Sequence, residues 1–183
     1  MNSFSNLAAL DDSELVTEWL NGNERAATEI VGRHADPLAR FAASLGERDD
    51  IEEVVQDTFV KAFGALESFR GESSLRTWLF TIERRLIVDR RRAEARQPVT
   101  ELVGSDLYDG SGSPLDEMLA NEASERIRVA MNKLSPTQRD VFRLRAEQGM
   151  SYKQIAEVLE TSEGSARVHY HNAIRVVKEF ING

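Results

Sequence analysis

The chain has no cysteine in its 183 residues. This excludes disulfides, thiolate metal centres and cysteine nucleophiles, and it removes any argument for an oxidising compartment. No stretch approaches the roughly 18–20 apolar residues that a membrane span needs. The start, Met1 to Phe4, has neither a basic opening nor an apolar segment behind it, so no secretory signal is expected. There is no alternating strand pattern, no internal repeat, and no paired carboxylates, nucleophile motif or phosphate loop. His169 and His171 stand two apart on a helix and diverge by about 200°, and His34 is remote in sequence, so no metal site is expected. The expectation is a cytoplasmic protein that is not an enzyme and needs no cofactor.

What is present is ample for folding. Hydrophobic residues make up 41% and charged residues 30%, the balance of a globular chain. The length allows one compact domain or two small ones of roughly 60–90 residues. The net charge of −8 argues against a nucleic-acid partner until its distribution is read. Residues 1–83 sum to −9, 84–96 to +4, 97–125 to −7 and 126–183 to +4. Two basic stretches separated by an acidic one offer two places for an anionic partner, although any one block can also be a solvated face.

Gln97 and Pro98 end a basic helical run, and Gly104 to Asp106 and Asp109 to Pro114 follow it. Gly, Ser, Pro and Asp together read as a flexible, self-repelling linker. Before it the periodicity predicts helices near 12–21, 24–34, 36–45, 49–66 and 74–93, the last capped by Ser73 or Ser74. After it, Ser135-Pro136-Thr137-Gln138 is a capping box with proline in the first turn, and that helix is expected to end at Gly149. Ser151 to Gln154 is a second capping box, and Thr161 to Gly164 breaks the chain before a helix reaching about Ile181. A short helix, a turn and a longer helix form the helix-turn-helix pattern.

Projected at ~100° per residue, the last helix turns Ala166, Tyr170, Ala173, Val177 and Ile181 inward, with Ile174 beside them. Opposite stand Val168 and Arg175, flanked by His171 and Asn172, with Arg167 nearby. Such a face suits a DNA major groove: Arg pairs with guanine, Asn with adenine, and an apolar group meets the thymine methyl. In the helix at 74–93, Leu75, Trp78, Leu79, Ile82 and Leu86 form one stripe. Arg84 and Arg91 lie nearly opposite Leu75, and arginines seven apart can follow a phosphate backbone. A surface helix with internal ion pairs is the simpler alternative.

These residues resemble a known family. The run Asp50-Ile-Glu-Glu-Val-Val-Gln-Asp-Thr-Phe59, then Phe69 to Leu79, then Leu86-Ile-Val-Asp-Arg-Arg-Arg92, is similar to the promoter-melting domain of bacterial extracytoplasmic-function (ECF) sigma factors. Leu134 to Arg139, Gly149 to Leu159 and Glu163 to Ser165 resemble their C-terminal promoter-binding domain. The likeness runs from about residue 12 to residue 180. It implies an all-α protein of two small domains, 1–96 and 119–183, joined by an acidic linker at 97–118.

The resemblance further implies a dissociable subunit of RNA polymerase. Asp50, Glu52, Glu53, Gln56 and Asp57 would bind the clamp helices of the β′ subunit, with the β subunit as a second contact. Phe69, Arg70, Ser73 and Ser74 would hold an unstacked base of the −10 element, and Trp78, Arg84, Arg85, Arg90 and Arg91 would meet the opening duplex. Aromatic and cationic groups together suit single-stranded DNA. Ser165, Arg167, Val168, His171, Asn172 and Arg175 would read the −35 element. An anti-sigma factor is the implied regulatory partner. The chain departs from the family pattern at Val168, often Ser, at His169 and Asn172, usually basic, and at Arg85, usually Asn. The rival reading is a stand-alone helix-turn-helix regulator, and a more distant one is a helical adaptor that never meets DNA.

Overall fold

The structure, a computed structural model, describes residues 7–45, 50–96, 127 and 129–182. Its described residues form helices and turns and no strand. Helix α1 (Asp12–Leu20) opens with a capping box in which the Asp11 carboxylate accepts from the Glu14 amide at 2.9 Å and Glu14 accepts from the Asp11 amide at 2.8 Å. Helix α2 spans Glu24–Leu45 without interruption. The two helices expected over 24–34 and 36–45 are therefore one. Pro37 cannot donate to the Arg33 carbonyl and disfavours a helix interior. The buried stripe of Ile30, His34, Leu38 and Phe41 runs straight through it and outweighs that loss. Arg33 fastens the N-terminal turn to α2, donating to the carbonyls of Leu7, Ala8 and Leu10.

Helix α3 covers Ile51–Ala65, followed by a 3-10 turn at Leu66–Ser68, and α4 covers Leu75–Glu94. Ser74, rather than Ser73, caps α4 by accepting from the Thr77 amide at 3.1 Å. In the second half, helical backbone at 127 and 129–132 precedes α5 (Pro136–Ala146), α6 (Tyr152–Leu159) and α7 (Glu163–Asn182). Both capping boxes, at Ser135 and Ser151, form as expected. Helix α5 stops at Ala146, before the predicted Gly149. The Glu147 amide closes the helix on Arg143, and Gly149, at φ +66, turns the chain so that the Met150 amide reaches the Leu144 carbonyl at 3.0 Å.

One apolar cluster joins both halves: Leu15, Ile30, Leu38, Phe41, Leu79 and Phe80 pack in the same core as Val141, Leu144, Met150 and Ile155. Helix α4 is the hinge of this arrangement, touching α2 and α3 on one side and α6 on another. A second cluster of Ala130, Met131, Leu134, Ala173 and Val177 holds α7 to the start of its own half. The linker read at 97–118 lies outside the described residues, as does the expected helix start at 49. No described helix is long and apolar enough to cross a membrane.

Candidate functional site

The acidic motif forms the open face of α3. Its core side, Val54, Thr58, Phe59 and Ala62, is buried, which leaves Asp50, Glu52, Glu53 and Gln56 exposed and Asp57 half-buried at the edge. Asp50 sits at the cap position, but its side chain makes no capping hydrogen bond. Arg90 of α4 reaches across to this face and donates to Glu53 at 2.7 Å and Asp57 at 2.9 Å. It thus stands with the acids of α3, apart from the other arginines of α4. Sequence inspection missed Val60, which is 65% exposed. Its signal was available: Val60 follows Glu53 by seven residues, so the two share a ridge. Beyond it, Gly64 opens onto a cavity of about 440 Å³ lined by Trp19, Leu20 and Phe63.

The loop before α4 is held by an aromatic contact. The rings of Phe69 and Trp78 lie 5.0 Å apart, so the loop leans on the first turn of α4 while Arg70 and Ser74 stay exposed and Ser73 is half-buried. Gly71, at φ +68, gives the loop its turn.

Helix α4 has two occupied sides. Toward α2 and α3 it buries Leu75, Leu79, Phe80, Leu86 and Ile87. Among them is Glu83, with 0% exposure and no hydrogen-bond partner on either carboxylate oxygen among the described residues. Burial pushes its carboxyl from 4.5 up to about 9, so it is protonated at neutral pH. On the side opposite Leu75, expected to face DNA, Arg84 is half-buried and Arg91 exposed, while α4 also touches α6 of the second half. Thr77, paired with Ser74 in the first turn, is 1% exposed, and the Nε of Arg84 is buried. Arg85 donates through Nε (2.8 Å) and Nη2 (2.5 Å) to one oxygen of Glu160, in the turn between α6 and α7. Arg76 donates to the backbone carbonyl of Gln148 at 3.0 Å and to its side-chain oxygen at 3.1 Å. Asp140 of α5 lies in the same seam. Burial raises its carboxyl, while Arg84 and Arg91 of α4, together with Arg143 and Arg139, pull it back toward the charged form. Arg91 also donates to the Leu45 carbonyl.

Helices α6 and α7 are joined through Glu160, in the left-handed conformation (φ 54, ψ 48), and Ser162, whose hydroxyl accepts from the Ser165 amide at 3.1 Å. On the inward side of α7, Ala166, Ala173 and Val177 are buried and Tyr170 and Ile174 partly so, as projected, while the side chain of Ile181 lies outside the described residues. Outward, Arg167, Val168, His171 and Arg175 are exposed, and Val168 is 59% exposed. Ser165 and Asn172 are half-buried at the edges of that face. The Arg167 guanidinium stacks over Tyr152 at 5.2 Å, which fixes its stem on the short helix. All six residues expected at the −35 element therefore border one continuous surface.

Comparison with known proteins follows the same division. The family model "Sigma-70 region 2" matches residues 30–97, and "Sigma-70, region 4" matches 124–176. The ECF RNA polymerase sigma-E factor of Haemophilus influenzae is 30% identical over 182 residues, covering 94% of this chain and 96% of that protein. The protein of the same name from Escherichia coli (strain K12) is 28% identical over 167 residues, covering 86% and 87%. Among solved structures, CnrH in complex with the cytosolic domain of CnrY superposes with a TM-score of 0.68 at 28% identity, covering 93% of this chain and 97% of that one. The sigma factor RpoE in complex with the anti-sigma factor NepR from Bartonella quintana gives 0.67 at 26%, covering 85% and 96%.

Proposed function

This chain belongs to the ECF family of RNA polymerase sigma factors, and from that premise we propose how its residues divide the work. As a sigma factor it binds core RNA polymerase and directs promoter-specific initiation. We assign polymerase binding to the open face of α3, where Asp50, Glu52, Glu53, Gln56 and Asp57 surround Val60. Exposed acids around one apolar side chain suit a basic, partly apolar helical partner, and the β′ clamp helices are that partner in this reading. The loop from Phe69 to Ser74, with Trp78, Arg84, Arg85 and Arg91, takes the −10 element. Arg90 acts from behind, orienting Glu53 and Asp57. The outer face of α7 takes the −35 element.

The observation that carries this assignment is the sorting of charge between neighbouring helices: acids on the open side of α3, arginines along α4. The domains run 1–96 and 119–183, with 97–118 as the connecting segment. The protein is no enzyme by itself, works in the cytoplasm and is governed by an anti-sigma factor, as the two similar solved complexes suggest. A stand-alone regulator is not favoured, because it needs neither the α3 face nor the Phe69 loop.

Charge reversal tests the assignment. Asp50→Arg with Glu53→Arg abolishes co-purification with core polymerase while helical circular dichroism is retained, because the lost helix-dipole interaction costs only about 0.3–1 kcal/mol per site. Unchanged recovery of a helical double variant moves the polymerase interface elsewhere.

A further inference from the structure

We propose that Arg84 and Arg91 of α4, together with Arg139 and Arg143 of α5, form a binding site for a small phosphate-bearing anion of the pyrophosphate type. The site goes beyond promoter recognition. It draws on both halves of the chain and stands whether or not Arg84 and Arg91 also meet DNA.

Two helical ridges supply the charge. Arg84 and Arg91, seven residues apart, share one side of α4, and Arg139 and Arg143, four apart, share one side of α5. Asp140 places the two pairs together, since all four arginines act on its carboxylate, Arg84 most strongly. Arg91 and Arg143 also oppose each other across the helices. Arg84, Arg139, Asp140 and Arg143 are all half-buried, so like charges from two elements are crowded where water reaches them poorly. Such crowding is unfavourable unless opposite charge is added. The local acids do not balance it: four arginines against Asp140 and the neighbouring Glu147 leave +2. Neither carboxylate makes a hydrogen bond or a close ion pair among the described residues.

The donors are open as well. The Nε of Arg84 is buried and has no acceptor among the described residues. A buried donor without a partner is costly, and a bound ion is one of the few things that relieves it. Arg143 makes no hydrogen bond and no ion pair among the described residues. Arg139 donates from Nε to the Met131 carbonyl at 3.0 Å and from Nη2 to the Leu134 carbonyl at 3.3 Å, which fixes its plane and leaves Nη1. Arg91 already donates to the Leu45 carbonyl and counts here for its charge alone. An anion with several oxygens answers the missing acceptors and the excess charge at once, because guanidinium forks match phosphate oxygens in pairs. Pyrophosphate has terminal oxygens and charge enough for both helices; a single carboxylate has neither.

Titration calorimetry of the full chain with sodium pyrophosphate, at constant ionic strength and without divalent cations, shows one saturable site. Arg143→Gln weakens it about tenfold or more, the range of a hydrogen bond to a charged group, and Arg84→Gln does the same. Arg25→Gln, on the exposed surface of α2, leaves it unchanged. Arg143→Lys keeps the charge but loses the fork, and it binds nearly as weakly as Arg143→Gln. Thermal unfolding adds a second readout. In chloride alone Arg143→Gln unfolds at or above the temperature of the parent, because one crowded charge is gone; in pyrophosphate the parent unfolds higher. No saturation in the parent, or parent-like binding by Arg143→Lys, overturns the site and leaves only general attraction between charges. Unfolding of Arg143→Gln below the parent by the same margin in both salts assigns Arg143 to the fold alone and overturns it too. So does intact pyrophosphate binding by Arg143→Gln alongside weakened binding of a single-stranded oligonucleotide without terminal phosphates, which makes the cluster a contact for a nucleic-acid backbone.

Discussion

Two helices of this molecule are assigned to DNA in the proposed reading, and the structure treats them in opposite ways. Helix α7 turns the face proposed for reading outward: Val168, His171 and Arg175 meet solvent, while Ala173 and Val177 pack within its own half. Helix α4 is occupied on two sides, by the core of its own half and by the helix-turn-helix half. The difference shows that a DNA-type residue pattern marks what a surface is for and leaves open whether it is available. Specificity for duplex DNA can be exposed permanently at little risk, because base reading by a single module is weak on its own. A surface that grips unpaired bases and phosphates binds any single strand.

The largest effect that sharpens the contrast is expected at Glu83, on the core side of α4. Folding raises its carboxyl to about 9 from 4.5, so between those values the folded chain holds a proton that the unfolded chain releases. Stability therefore falls as pH rises through that window, by up to about 1.36 kcal/mol per pH unit. Replacing the acid by Glu83→Leu raises stability by roughly 3 kcal/mol at pH 7, and the gain shrinks toward pH 4.5. Urea unfolding of both forms across this range measures it. A gain independent of pH means that Glu83 is charged in the folded chain.

A smaller effect is expected on the open helix. Val168→Ser and Asn172→Arg each change the preferred −35 sequence at a limited number of positions, with about 1–3 kcal/mol of discrimination at a directly read base. Neither alters helical circular dichroism, since Val168 is exposed and Asn172 only half-buried. Selection of −35 variants with holoenzyme reads the first outcome. If both substitutions leave the selected sequence unchanged, the reading face lies on another side of α7.

Local signals carried most of the fold. Ser135 and Ser151 announced their helices because a capping box is a four-residue interaction, complete within the sequence that encodes it. The α7 projection held because its inward residues recur at helical spacing. Pro37 misled for the opposite reason: its cost is local, while the stripe that outweighs it is assembled by packing. Glu83 stood in plain view, an acid in line with Leu79 and Ile87, yet periodicity alone offers no reason to bury a carboxyl without a partner. The seam was beyond reach. Arg85 and Glu160 are 75 residues apart, and nothing in either neighbourhood names the other. Arg90 likewise read as one of a basic run, and only the crossing of α3 and α4 puts it beside Glu53 and Asp57.

Packing of α6 against α4, which joins the two halves, can be measured directly in the free chain. A nitroxide at Lys153→Cys, exposed in the first turn of α6 and the sole cysteine, broadens the amide resonances of nearby segments. The account predicts broadening of residues 77–85 in α4 at low salt. Broadening confined to the C-terminal half of the free chain would contradict it.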